Sequence, residues 1–208
     1  AKSGQDWKKV ICTLPDDQLA ALDSDTRCWH FSPGVDALGE LISKFPETFG
    51  KALVTSNFDP LVEVAISHHG GSAWRTSLSV DGPLDNSTAN GCQVIHIHGY
   101  WHGTDTLHTG QQLLSGRPTL KNSLLKLLED KIVVVLAYGG WPDIFTGAMS
   151  GLVSNNTIFP EVLWTTYDVQ PRLSEHLYGA LSTGIARNRV TFYSGIDCHT
   201  FIPELLET

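Results

Sequence analysis

The hydrophobic pattern of the chain is a series of short apolar, β-branched runs, each followed by a turn and a helical pattern. The apolar residues of these runs are continuous rather than alternating with polar ones, as in strands that are covered on both faces. We therefore predict five buried β-strands, at residues 52–55, 94–97, 132–137, 162–165 and 190–193.

Helical spacing and helix-start signals lie between these runs. Asp59 and Pro60 indicate one helix start, because Asp is a preferred N-cap residue and Pro is favoured at the first helical position. We predict helices over 60–67, 119–128, 142–152 and 171–181, with shorter helical patterns near 14–22 and 201–207. The alternation of strands and helices predicts an α/β fold, a Rossmann-like parallel sheet with helices on both faces.

Residues 68–91 interrupt this alternation, because they are rich in Gly, Ser and Asn. They predict a long loop, which in a compact domain is usually functional or disordered. A lid over a ligand pocket is one such function. His68 and His69 are interpreted as residues of this loop.

Length and composition restrict the functional class. The 208 residues suffice for one α/β domain, and no apolar run approaches the roughly 20 residues that span a bilayer. The net charge of -8 disfavours direct nucleic-acid binding, which needs clustered Lys and Arg. No C-x-x-C pair occurs, which indicates reduced thiols in a cytoplasmic protein rather than a zinc ribbon, at Cys12, Cys28, Cys92 and Cys198.

Polar, glycine and aromatic residues follow the ends of four predicted strands. Ligands of open parallel sheets bind at the carboxyl ends of the strands, where helix N-termini also point. The candidate site therefore comprises residues 55–59, 98–100, 138–141 and 166–168. Structural explanations remain open for the same residues. Asn57 and Asp59 could cap the following helix, Gly139 and Gly140 could turn the chain, and Asp168 could cap a helix.

The segment VIHIHG places two histidines at the end of a predicted strand. His96 and His98 share one face because side chains alternate along a strand. A histidine at this position is suited to general base catalysis. Three interpretations are open: His98 is catalytic, His98 is structural, or His96 and His98 bind a metal together with His102.

Five segments, in this order, resemble the sirtuin-like family. They are LVTSNFDPLVE, whose strand ends in Thr-x-Asn-x-Asp, then VIHIHG, VVVLAYGGWPDIFTGAM, EVLWTTYD and VTFYSGIDCHTFIPELL. The segments cover residues 51–207, and their joint order is the specific feature. The resemblance implies a Rossmann-like domain that binds NAD, with the nicotinamide ribose near Asn57 and His98.

The same resemblance implies a role for each candidate residue. Asn57 would hold the ribose and an attacking water, His98 would act as the base, and Asp59 would orient the loop. Tyr138 and the two glycines after it would approach the phosphates or the adenosine ribose. The implied cofactor-binding residues are Thr55, Ser56, Asp59, Gly99, Tyr138, Gly139, Gly140, Tyr167 and Asp168.

Two departures from the deacylating sirtuins refine this expectation. The four-cysteine zinc module is absent, so the chain resembles the zinc-free bacterial branch, whose members hydrolyse NAD in antiphage defence together with a fused or separate sensor module. A Gly-Ala-Gly-x-Ser-type loop is not found before residue 52. We therefore expect residues 1–208 to be a single sirtuin-like domain, excerpted from a longer chain and lacking its N-terminal strand and glycine loop.

The expected function is cleavage of the nicotinamide–ribose bond of NAD by an oligomeric effector that needs no zinc and causes abortive infection. The alternative is a non-catalytic module that binds NAD or ADP-ribose for sensing or assembly.

Overall fold

The computed structural model describes residues 13–49, 51–85 and 90–208. Two compact units are present, and each contains a three-stranded parallel sheet. Unit 1 takes in Ala1–Ser77 and Asn90–Thr106, and unit 2 takes in Leu78–Ala89 and Leu107–Thr208. Cys12 and residues 86–89 of the predicted loop lie outside the described residues.

Unit 1 is built on a sheet with the strand order β1-β3-β2. Its elements are α1 (Asp16–Asp23), a 3-10 turn (Thr26–Cys28), α2 (Pro33–Lys44), α3 (Pro46–Phe49), β1 (Ala52–Thr55), α4 (Leu61–His68), β2 (Ala73–Ser77) and β3 (Cys92–His96). The central strand β3 is buried at every residue. The register pairs His96 with Thr55 of β1 and with Ser77 of β2.

Helices α2 and α4 pack closely, because Gly39 of α2 has no side chain. A Cβ at Gly39 would lie 2.5 Å from the backbone carbon of Ala65 in α4. The hydroxyl of Ser43 lies 2.7 Å from the carbonyl oxygen of Gly39 and 3.1 Å from that of Ile66. Apolar residues of both helices and of β3 form a buried cluster, which consists of Ile42, Ile66, Cys92 and Val94.

Unit 2 is built on a sheet with the order β4-β5-β6. Its elements are α5 (Gly110–Leu113), α6 (Pro118–Leu128), β4 (Ile132–Val135), α7 (Ile144–Ser154), β5 (Glu161–Thr166), α8 (Glu175–Ala186), β6 (Val190–Ser194) and α9 (Cys198–Glu207). Helix α7 contacts both α6 and α8, and it buries Met149 and Leu152 completely. The ring of Trp164 on the central strand β5 is 1% exposed.

The predicted α/β fold with parallel strands and flanking helices is confirmed. All five predicted strands are present, with ends that differ by two residues at most. The prediction that each strand is buried on both faces is confirmed for β3 but is wrong for β4, where Ile132 and Val134 are exposed, and for β6, where Tyr193 is exposed. The strands are divided between two three-stranded sheets, one in each unit. None of the helices in the described residues has the length and apolar character of a membrane span.

Two helices of unit 2 start later than their prolines predict. Helix α7 starts at Ile144, because Asp143 accepts a hydrogen bond from the amide of Thr146. Helix α8 starts at Glu175, where Ser174 caps the helix in the same way. A side-chain cap satisfies an amide that the first turn leaves without a helical partner, so it decides the start.

Four elements of unit 1 were not predicted: β2, α2, the short helix α3 and the 3-10 turn. Strand β2 lies within residues 68–91, so the prediction of one continuous loop there is wrong at Ala73–Ser77. This mixed sequence becomes a strand because all five of its residues pair in parallel with β3. The loop prediction is also wrong at His68, which is the last residue of α4. Helix α2, Pro33–Lys44, has a strongly apolar face that the sequence interpretation overlooked.

Candidate functional site

The loop after β1 holds the backbone of Asn57 at both polar atoms. The amide of Asn57 donates to Thr55 Oγ1 over 3.0 Å, and its carbonyl oxygen lies 2.7 Å from His96 Nδ1. Asn57 is exposed, so its side chain is open to a ligand while its backbone is fixed. The prediction of Asp59 as N-cap and Pro60 as first helical residue is wrong by one position, because α4 starts at Leu61 with Pro60 as its N-cap. Asp59, one residue before that cap, accepts a hydrogen bond from the amide of Leu61 over 3.1 Å.

The buried ring of His96 faces a hydrogen-bond acceptor at each nitrogen. Its Nδ1 donates to the carbonyl oxygen of Asn57, and its Nε2 lies 2.8 Å from Glu63 Oε1. Both ring nitrogens are therefore engaged, and the bond to Glu63 joins the end of β3 to α4. With the His96 side chain 1% and that of Glu63 13% exposed, water does not substitute for this bond.

His98 follows β3 and is 5% exposed. The register that pairs Thr55 with His96 places Asn57 and His98 each two residues beyond a paired position. Gly99 turns the chain here with φ +91°, a conformation that favours glycine. A Cβ at Gly99 would also overlap the backbone oxygen of Asp105. Asn57 and His98 consequently lie at the same carboxyl edge of the unit 1 sheet.

A second polar network in unit 1 surrounds the carboxylate of Asp23. It accepts hydrogen bonds from Trp101 Nε1 over 2.9 Å and from Arg75 Nη1 over 2.8 Å, and it lies 2.9 Å from His102 Nε2. His102 is thus engaged with Asp23, and both nitrogens of His96 are engaged elsewhere. A metal bound by His96, His98 and His102, which the sequence left open, would need ring nitrogens that these hydrogen bonds already occupy.

The turn after β4 in unit 2 is fixed by a tyrosine–aspartate pair. Tyr138 Oη donates to Asp143 Oδ2 over 2.6 Å, and the other carboxylate oxygen caps α7. Burial, together with the negative charge of Asp143, raises the pKa of the Tyr138 phenol above its ordinary value. The phenol therefore remains a hydrogen-bond donor at neutral pH.

A cavity of about 740 Å³ lies within unit 2. Its polar lining includes Arg117, Asp143, Thr146, Ser150, Glu175 and His176. Arg117 is 3% exposed and donates to the carbonyl oxygen of Leu78 over 3.2 Å. Burial lowers the pKa of Arg117, but a guanidinium stays charged in proteins, so the lining combines this cation with the carboxyl groups of Asp143 and Glu175. Its volume lies in the range of small-molecule sites.

Comparison with known families assigns the chain. Residues 51–175, more than half of the chain, match the family model of the SIR2-like domain. The chain belongs to the SIR2-like family. This family includes NAD-dependent enzymes, so membership connects the chain to NAD-related activity. No curated protein matches the sequence significantly.

The predicted residues of this SIR2-like domain fall into both units. Asn57 and His98 lie in unit 1, together with Thr55, Ser56, Asp59 and Gly99; Tyr138, Gly139, Gly140, Tyr167 and Asp168 lie in unit 2. Tyr167 is 74% exposed. The backbone oxygen of Asp168 accepts from the amide of Gly195 over 3.1 Å, and Asp168 does not cap α8.

Sequence reasoning missed three polar residues of the SIR2-like domain. Glu63 was assigned only to a helix, and nothing in its spacing indicates a contact with His96. Asp143 was placed only within the predicted helix 142–152 and was not recognised as the partner of Tyr138. Arg117 directly precedes Pro118, so its position at the start of α6 could be read from the sequence. Its burial could not, because it results from the packing of unit 2.

Proposed function

We propose that this SIR2-like chain hydrolyses NAD at the bond between nicotinamide and ribose. The observation that carries the proposal is the parallel pairing of β1 with β3, which brings Asn57 and His98 to one edge of the sheet. A fixed backbone with an exposed amide side chain suits Asn57 to position a ribose or a water. Family membership supplies NAD as the substrate class.

Besides NAD, the proposed reaction consumes only water. The bond between ribose C1′ and the nicotinamide nitrogen breaks, and its electron pair leaves with nicotinamide. Water held by Asn57 adds its oxygen to C1′ of the oxocarbenium-like ribose and gives a proton to His98. Dipoles that are already oriented stabilise the developing charge at little reorganisation cost. The products are nicotinamide, ADP-ribose and a proton.

The finer assignment is an effector of antiphage defence that lacks the four-cysteine zinc module of the deacylases. It is supported by the cysteine pattern, since none of the four cysteines forms the C-x-x-C pairs of a deacylase zinc module. In this role the chain works in the cytoplasm, where depletion of NAD stops the infected cell. The hydrolase is silent until a sensor module, fused or separate, responds to infection and the chain assembles into an oligomer.

The second candidate function is binding of NAD or ADP-ribose without turnover, for sensing or assembly. It is favoured by the cavity of unit 2, because the buried guanidinium of Arg117 lies in its wall and suits an anionic ligand. This function needs neither the exposed side chain of Asn57 nor the imidazole of His98.

The test is NAD consumption by the full-length protein, with nicotinamide and ADP-ribose quantified as products. The variants are Asn57→Ala and His98→Ala, and the matched controls are Asn122→Ala and His199→Ala, which change exposed residues of the same types in unit 2. Loss of turnover in the first two alone supports hydrolysis at this edge. Unchanged turnover in Asn57→Ala overturns the mechanism, and ligand binding without turnover under activating conditions supports the second function.

A further inference from the structure

Two histidines and an aspartate converge at the end of α4 in unit 1. Asp36 of α2, His68 and His69 each offer one ligand atom, and these three atoms lie within 4.8 Å of one another. His69 Nε2 is 2.9 Å from Asp36 Oδ1. Within the described residues, no other His, Cys, Asp or Glu group of this size converges as closely.

The geometry of the cluster approximates that of a tetrahedral metal site. Two imidazoles on one zinc ion, with Zn–N bonds of about 2.0–2.1 Å, place their ring centroids about 5.2 Å apart. The centroids of His68 and His69 are 5.1 Å apart, with the rings at 85°. Neighbouring ligand atoms of such a site are about 3.3 Å apart. The contact between Asp36 and His69 would therefore open by about 0.4 Å from its 2.9 Å.

The two helices that carry the ligands are held together independently of any ion. Gly39, one turn after Asp36 on α2, meets Ala65, one turn before His69. Ser43 adds its contact with the carbonyl oxygen of Ile66. Because the backbones are fixed by this packing, binding an ion requires movement of the three side chains alone, whose ligand atoms lie within 4.8 Å of one another. This limits the entropic cost of binding.

Charge and exposure also suit a cation at this position. His68 closes α4 and His69 caps it, so both lie at the helix end with negative partial charge. Asp36 contributes a carboxylate whose side chain is 46% exposed, and the side chain of His69 is 22% exposed. The site is open to ions from solution and leaves room for a water ligand.

The cluster lies at the opposite edge of the sheet from Asn57. Helix α4 starts after the carboxyl end of β1 and returns toward the start of β2 at Ala73. Its eight residues extend about 12 Å at 1.5 Å per residue. An ion held by His68 therefore makes no contact with the loop of Asn57.

We propose that Asp36, His68 and His69 form a site for a divalent zinc-class ion that joins α2 to α4. Two imidazole nitrogens and one carboxylate oxygen are a zinc-binding donor set, with water as the fourth ligand. This differs from our expectation of no zinc, which rested on the cysteine pattern alone. The ion stabilises unit 1 and takes no part in the chemistry at Asn57, so the inference does not depend on the proposed function.

The test is equilibrium dialysis and calorimetric titration of the chelator-treated full chain with Zn²⁺. The variants are His68→Ala and Asp36→Asn, and the control is His199→Ala, which removes an exposed histidine of unit 2. We expect one zinc per chain that is retained in the control. Loss of a supporting contact typically weakens metal binding by about tenfold or more, so loss of a ligand should weaken it at least as much.

A second readout is the melting temperature with and without Zn²⁺, which should rise in the wild type and in the control but not in His68→Ala. His68 is exposed, so its removal leaves the fold intact, and circular dichroism checks this. Zinc held by cysteines alone would persist in both ligand variants. Equal affinity in all four proteins, or no binding by the wild type, overturns the proposal.

Discussion

His96 Nε2 and Glu63 Oε1 lie 2.8 Å apart in the interior of unit 1. The same ring fixes the carbonyl oxygen of Asn57 through Nδ1. The imidazole of His96 on β3 thus joins Glu63 of α4 to the loop of Asn57. The carboxyl group of Glu63 is therefore a positioning group for the loop, although it is not itself placed at the reaction centre.

Replacing Glu63 by Ala should destabilise unit 1, because His96 Nε2 would lose its buried partner. An unsatisfied buried polar group costs about 1–3 kcal/mol. Glu63→Gln should cost less, since its amide can donate to Nε2 of a neutral ring. Urea denaturation measures both variants. Equal free energies of unfolding for Glu63→Ala and the wild type would contradict the importance of this bond.

Gly99→Ala should be more destabilising than Gly103→Ala. Both glycines have positive φ, +91° and +71°, so both substitutions introduce backbone strain of about 1–2 kcal/mol. Only at Gly99 would the new methyl group overlap the carbonyl oxygen of Asp105, because open space surrounds Gly103. Thermal denaturation of the two variants compares them directly, and equal melting temperatures would argue against a tight turn at Gly99.

Tyr138 should make unfolding easier at alkaline pH. Burial raises its pKa in the folded chain, while the unfolded chain ionises at about pH 10. As the pH rises, Tyr138 therefore loses its proton in the unfolded chain before it does so in the folded chain. The stabilising contribution of the Tyr138 phenol is complete below about pH 10 and decreases above it. Tyr138→Phe should show a smaller decrease between pH 8 and pH 10.5 in urea midpoints. A decrease as large as that of the wild type would show that other groups, such as Tyr100, whose pKa is also raised by burial, dominate.

Asp143→Ala should cost more stability than Ser174→Ala in unit 2. Each change removes a helix N-cap, which is worth about 1 kcal/mol. Asp143 also accepts the hydrogen bond of Tyr138, so its loss adds about 1–3 kcal/mol for a buried phenol without a partner. Guanidinium denaturation measures the difference. The assigned network predicts that Asp143→Ala costs less in a Tyr138→Phe background, and strict additivity would contradict that coupling.

Much of the fold follows from local patterns in the sequence. The five apolar runs predicted the strands because apolar, β-branched residues favour extended structure, although β3 alone of the described strands is buried at every residue. Asn57 and His98 were selected because they directly follow such runs, and the register of β1 with β3 places them at one edge. Strand β2 was missed because its pairing with β3, rather than its own composition, makes it a strand.

The sequence alone therefore determined the properties of consecutive residues. These are the strand and helix periodicity, the polar residues at strand ends and the family motifs. The tertiary structure alone decided the pairs His96–Glu63 and His69–Asp36, each 33 residues apart in the chain. These contacts depend on the depth to which helices pack, as at Gly39 against Ala65. Packing of that kind is a property of two surfaces together, so no single segment of sequence encodes it.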